Sequence, residues 1–254
     1  FISTSDHNTS EQYLFSVNDK EQKPKLIKKR KKGIIYSVNS WDNKFYLHTN
    51  ENAEDFKIDF CDDISKQNWK PFVPARNEVL IGGLFFLNNW IIRSETSNAL
   101  GKLIIRDPKT DKEEHLNFVD EKVIIPGISF KQKDRNTEEV YLSYSSPKTP
   151  GRTYSYNLKT NEKILVKEQV IPSGHNPDDY IVERLECASH DGRMVPLTIT
   201  RHKNTKVDGS SNLLLYGYGS YGNSMSPSFS STRLSLIDRD IIWVTAHIRG
   251  GMER

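Results

Sequence analysis

Cysteine is nearly absent from this sequence. Only Cys61 and Cys187 occur, far apart, which excludes a disulfide framework and a cysteine-based metal site and fits a reducing compartment, the cytoplasm. No run approaches the ~18 apolar residues that a membrane-spanning helix needs, so no membrane partner is expected. Neither sign of charge dominates: 36 basic against 33 acidic residues leave a net +3, too balanced to point to nucleic acid. The opening "FISTSDHNTS" lacks the Met, the basic start and the apolar stretch of a secretory leader. It reads as a strand entered halfway, the mark of a fragment. Hydrophobic residues make up 35% of the chain, a low share that suits a surface-rich architecture built from repeats.

What is present is a repeat. Four segments share one layout of strand, polar turn, strand and charged tail, starting at Phe1, Phe45, Trp90 and Val140, with spacings of 44, 45 and 50 residues. Further β-rich runs, "GIIYSVNS", "EVLIGGLFF" and "KVIIPGISF", precede three of them. Roughly four short strands per ~45 residues is the period of propeller blades, and Asn, Asp, Gly and Pro fall at the turns. A β-sandwich is the alternative, but it does not require a repeat of constant length. No helical periodicity of any length occurs before residue 170. The basic run "KEQKPKLIKKRKK", Lys20 to Lys32, carries no interleaved aromatics for base stacking, so it reads as a solvated loop and outer strand rather than a nucleic-acid patch.

After Lys167 the pattern changes. "EQVIPSGHNPDDY" is a connection rich in Pro, Gly, Asn and Asp. It leads into a hairpin of two long strands, "YIVERLECAS" and "RMVPLTITRH", with a two-residue turn at Asp191-Gly192. "LLLYG" and "IIWVTAHI" follow as apolar runs expected to be strands buried on both faces, with a short helix, "SSTRLSLIDRD", between them. Hairpin, strand, crossover and strand is how an α/β-hydrolase sheet begins. The expected architecture is therefore a partial β-propeller of about four blades over residues 1–175, followed over 176–254 by the first strands of an α/β-hydrolase domain.

The stretch "LLLYGYGSYGNSMSPSF", Leu213 to Phe229, is the most unusual. Core packing does not call for alternating glycine and tyrosine. Glycines let the backbone adopt positive φ or come close to another group, and tyrosines supply hydroxyls. Taken alone it also fits a Tyr/Gly-rich turn between strands. Together with "VTAHIRGGMER" it resembles the prolyl oligopeptidase family of serine peptidases, in its oligopeptidase B (protease II) branch. "YIVERLECASHDGRMVPLTI" and "YLSYSSPKTPGRTYSYNL" fit the same branch, so the resemblance spans essentially the whole chain.

The resemblance implies a seven-bladed propeller that restricts access to short peptides and a hydrolase domain that cleaves after Lys or Arg. It also implies that Tyr218 donates to the oxyanion, that Tyr221 stands beside the primary specificity pocket, and that the Arg249 segment borders the same cleft. His247, within "AHIRGG", is not the triad histidine and is expected to be a packed one. Ser226 and Ser228 occupy substrate-side positions that are acidic in some members, so a preference for paired basic residues is expected to be weaker. Asp240 stands where the family usually has Gly.

No G-x-S-x-G nucleophile elbow is present, because Ser220 has Tyr218 two positions before it. The catalytic Ser, Asp and His are expected beyond Arg254, so the chain alone is expected to be inactive unless a second chain supplies them. A non-catalytic propeller piece that binds peptides or serves assembly, or the remnant of a degraded gene, is the competing reading. No metal or organic cofactor is indicated, and short basic peptides are the expected substrates.

Overall fold

A computed structural model describes residues 1–18 and 20–252. The chain falls into two compact units, Phe1–Gly83 and Leu84–Arg254.

In the first unit, β1 (Ile2–Ser5), β2 (Ser10–Leu14) and β3 (Lys25–Leu26) form a three-stranded sheet in that order. A four-stranded antiparallel meander follows, β4 (Tyr36–Trp41), β5 (Lys44–Thr49), β6 (Lys57–Cys61) and β7 (Lys70–Val73). Trp41 pairs with Lys44 across a two-residue turn whose Asp42 and Asn43 both have positive φ, the mirror-image turn that matches strand twist. Ile27, Tyr36, Val38 and Leu47 form a buried cluster in this unit. The basic run contains β3, as expected of an outer strand. Its cations meet acids: Lys28 and Lys31 both face Glu51, and Arg30 lies 3.5 Å from Glu11.

The chain passes into the second unit along β8 (Leu80–Phe86), which heads another four-stranded meander with β9 (Ile91–Ser97), β10 (Leu100–Arg106) and β11 (Glu113–His115). The next is β12 (Ile125–Phe130), β13 (Glu139–Ser145), β14 (Arg152–Asn157) and β15 (Lys163–Glu168). Along β13 every second residue is buried, and Val140, Leu142 and Tyr144 join Ile92, Leu103 and Ile105 in the main apolar cluster. The constant repeat in the sequence is therefore a series of up-and-down four-stranded sheets of blade type, preceded by a three-stranded one.

A mixed sheet completes the unit. β16 (Tyr180–Ala188) and β17 (Met194–His202) form the long hairpin, β18 (Leu213–Tyr216) precedes helix α1 (Ser231–Ile237), and β19 (Ile242–Ala246) follows it. The strand order is β16-β17-β19-β18, with β18 and β19 parallel across the α1 crossover.

Two expectations need correction. The hairpin turn has three residues, His190 to Gly192, closed by the Ser189 N–H donating to the Arg193 carbonyl. Gly192, at φ +80, takes the left-handed position of that loop. Among the described residues the apolar "LLLY" strand is not buried on both faces: β18 lies at the edge of this four-stranded sheet, and Leu213 and Leu215 are 58% and 63% exposed. β19, between β17 and β18, is largely buried, with Leu234 and Ile237 of α1 packing in one cluster with Trp243. Apolar composition alone cannot separate an edge strand from an interior one, because strand order is a tertiary property.

Candidate active site

The loop after β18 turns twice on left-handed residues. Gly219 has φ +62. Ser220 and Asn223 close a tight turn in which Tyr221 (φ +54) and Gly222 (φ +67) are both left-handed, with the Asn223 N–H 3.0 Å from the Ser220 carbonyl. The glycines also serve close approach, but to another loop of this chain. A Cβ on Gly219 would stand 2.4 Å from the Arg249 carbonyl oxygen, and one on Gly250 (φ +100) would stand 1.9 Å from that of Gly219. The Gly222 N–H donates to the Gly250 carbonyl at 2.9 Å. Tyr218 and Arg249 therefore sit on two loops in backbone contact, held together by glycine's missing side chain.

Tyr218 is 47% exposed and Tyr221 73%. A bulky residue in the left-handed region carries about 1 kcal/mol of strain. Its retention there keeps an aromatic ring at the surface of the loop. Tyr221→Asn, which tolerates that conformation, is expected to raise stability by up to ~1 kcal/mol in thermal unfolding. A destabilised variant would contradict the strain.

Arg249 is anchored at a distance. Its Nη1 lies 2.5 Å from Oδ2 of Asp191, at the tip of the β16–β17 hairpin. The Arg193 backbone N–H and then the Arg249 guanidinium hold the Asp191 carboxyl below the usual carboxylate range. Ser226 and Ser228 form a separate small arch, the Ser228 N–H donating to the Ser226 carbonyl at 2.8 Å. Arg233 of α1 fixes that arch. Its Nη1 donates to the Ser228 carbonyl at 3.0 Å while its guanidinium stacks over the Trp243 ring at 4.9 Å. Ser224 ties the arch to the other loop by accepting from the Met252 N–H at 3.0 Å. Asp191 and Arg233 were not found from the sequence. Each is an ordinary turn or helix residue whose role depends on a partner brought near by folding.

Asp240, where the resemblance leads one to expect Gly, has φ +62. Aspartate is among the few residues that enter this region readily, and here its carboxylate also accepts from the Thr205 hydroxyl at 3.2 Å.

His247 is buried, as expected of a packed histidine, with Nε2 2.7 Å from the Thr198 hydroxyl. Burial pushes its imidazole down to about 4, the Arg184 guanidinium adds to the shift, and the Met225 backbone opposes it. His48, stacked on Phe56 and donating from Nε2 to the Ile81 carbonyl, is also pushed down by burial. Both side chains titrate near 6.5 when exposed. Below that value the unfolded chain binds protons that the folded one refuses, so stability falls as pH drops from about 6.5 toward about 4. Thermal melts at pH 7 and pH 5 are expected to show a clear loss, and a smaller one in His247→Gln. Equal losses in both proteins would exclude His247 as a source.

Comparison with known proteins agrees with this architecture. Residues 1–169 match the prolyl oligopeptidase, N-terminal beta-propeller domain. Dipeptidyl aminopeptidase BI of Pseudoxanthomonas mexicana is 34% identical over 232 residues, covering 90% of this chain and 32% of that protein. Protease 2 of Moraxella lacunata is 28% identical over 257 residues, 100% of this chain and 36% of that protein. Among solved structures, oligopeptidase B from Trypanosoma brucei with covalently bound antipain, in its closed form, superposes with a TM-score of 0.88 at 24% identity. That match covers 99% of this chain and 37% of the other. The chain thus spans about a third of the length of these relatives.

Proposed function

Because the chain belongs to the prolyl oligopeptidase family, we propose that it supplies the substrate-filtering propeller and the oxyanion side of a serine oligopeptidase that cleaves short peptides after Lys or Arg. The observation that carries this reading is the pair of glycine-locked loops, which bring Tyr218 and Arg249 onto one continuous surface. In this reading the propeller gives way to the hydrolase domain near residues 175–176, within the connection between β15 and β16.

Acyl transfer places negative charge on the former carbonyl oxygen of the substrate. A phenol hydroxyl aimed at that atom stabilises the charge where it develops. Tyr221 offers an apolar ring beside the residue preceding the scissile bond. Arg249, already countered by Asp191, offers N–H groups to the substrate backbone without adding net charge that would repel a basic side chain. Ser226 and Ser228 bring hydroxyls but no charge to their arch, so a second basic residue gains little there. The nucleophile and its base come from outside these residues, since no G-x-S-x-G elbow lies within them.

A second reading, removal of dipeptides from free peptide N-termini, is favoured by the 34% identity to dipeptidyl aminopeptidase BI. One assay tests both. The complete protein is given arginyl peptides with blocked and with free N-termini. Cleavage after Arg in the blocked peptide supports the oligopeptidase reading, and dipeptide release confined to the free peptide supports the second. Absence of both overturns a peptidase role, as does hydrolysis by this chain alone for the division of labour.

A further inference from the structure

Arg184 joins elements that are remote in sequence. It lies on β16 directly opposite Thr198 of β17, and Thr198 is opposite Thr245 of β19. Its Nη1 donates to the Thr198 hydroxyl at 2.7 Å. Nη2 donates to the Asn98 backbone carbonyl at 2.5 Å and approaches the Asn98 Oδ1 at 3.3 Å. Asn98 and Ala99, with φ of +51 and +57, are the two central residues of the turn between β9 and β10. The Thr198 hydroxyl, 1% exposed as a residue, lies 2.7 Å from His247 Nε2. His247 is itself fixed by its N–H donating to the Pro196 carbonyl at 3.0 Å. The next residues are Ile248, whose side chain packs where Gly217 and Gly219 lack theirs, then Arg249 and Gly250.

An arginine on a half-exposed hairpin has no need of such partners for solubility. Glu186, two residues along the strand, is the charged neighbour that faces it. Two of its N–H groups are instead committed to a strained turn of a blade and to a buried hydroxyl in contact with a buried imidazole. Such a fork is geometrically demanding, and lysine cannot reproduce it.

We propose that Arg184 is a positioning residue for the Tyr218 site. Its guanidinium carries a hydrogen-bonded chain from the Asn98 turn through Thr198 to His247, and so sets where the Ile248–Gly250 segment stands and, with it, the Tyr218 loop packed against it. This rests on the peptidase reading above. It adds that turnover depends on a contact between a blade turn and the hydrolase-type sheet, at a residue that touches no substrate.

The test uses the complete protein, a blocked arginyl peptide, and nitrogen-15 spectra of the His247 ring. Arg184→Met and Thr198→Val are each expected to lower kcat about tenfold with KM moved less than about twofold, as a misplaced transition-state donor requires. The double variant is expected to lose no more than the worse single one, because both cut the same chain. Thr198→Ser, which keeps the hydroxyl, restores most of the rate, whereas Arg184→Lys does not. The His247 Nε2 signal is expected to shift in Arg184→Met as well as in Thr198→Val.

Multiplicative losses, an unchanged kcat, or an unmoved His247 signal in Arg184→Met would each overturn the proposal. The ring signal separates the two layers of argument. If the wild-type protein cleaves neither peptide form, the peptidase reading fails, and the positioning role falls with it. The shift in Arg184→Met would then still report whether the hydrogen-bonded chain exists.

Discussion

Gly250→Ala is expected to lower stability by on the order of 3 kcal/mol, and to do so by separating the two loops of the candidate site. The added methyl would have to sit 1.9 Å from the Gly219 carbonyl oxygen, a backbone atom that cannot swing aside as a side chain can. Its φ of +100 adds strain for any residue with a Cβ. Overpacking of this kind costs about 1–3 kcal/mol and the conformational strain a similar amount. Gly209 provides the control. Its φ is +89, yet a Cβ there meets nothing within 4 Å, so Gly209→Ala isolates the conformational share, about 1 kcal/mol. Thermal unfolding of both variants, beside peptide turnover in the complete protein, checks the claim. Equal melting shifts would mean that the loops yield freely, and the close packing would then lose its claim to hold Tyr218.

The blades were legible because their signal is local and repeated. Alternation along β13, the strand-forming runs ahead of three of the repeats, and Asx-rich turns such as Asp42-Asn43 each report on neighbours a few residues away. The same holds for α1, whose N-cap Ser230 accepts from the Arg233 N–H. Where the reading failed, the missing information was tertiary. β18 and β19 are both apolar runs, but only the strand order leaves Leu213 and Leu215 at an edge. The expected β16–β17 turn was one residue too short, because Gly192 adopts a left-handed conformation that leaves His190 inside the loop.

The site followed the same division. The glycines of "YGYGSYG" announced close approach, but not that the group approached is the "IRGG" backbone. Asp191, the partner of Arg249 58 residues away, and Arg184, the partner of Asn98 86 residues away, carry no motif at all. They become visible only when hydrogen bonds are followed across sheets.

Tyr218→Phe carries the largest expected effect on turnover. Removing one donor to a developing oxyanion costs about 10²–10³ in kcat, roughly 2.7–4 kcal/mol of transition-state stabilisation. KM is expected to move little, since the neutral carbonyl of the bound peptide gains less from the hydroxyl than the oxyanion does. The melting temperature is expected to hold, because the ring is 47% exposed and no side chain among the described residues bonds its hydroxyl. A neighbouring tyrosine makes the test specific. Tyr216 packs its ring 5.7 Å from that of Trp243, a role that needs no hydroxyl. Tyr216→Phe should therefore stay within about twofold of wild type. If both variants behave alike, the loop contributes shape rather than a donor, and the oxyanion must be met by other groups. If Tyr218→Phe alone collapses kcat, a single phenol accounts for the chemistry of the loop, and the glycines around it serve to hold that phenol in place.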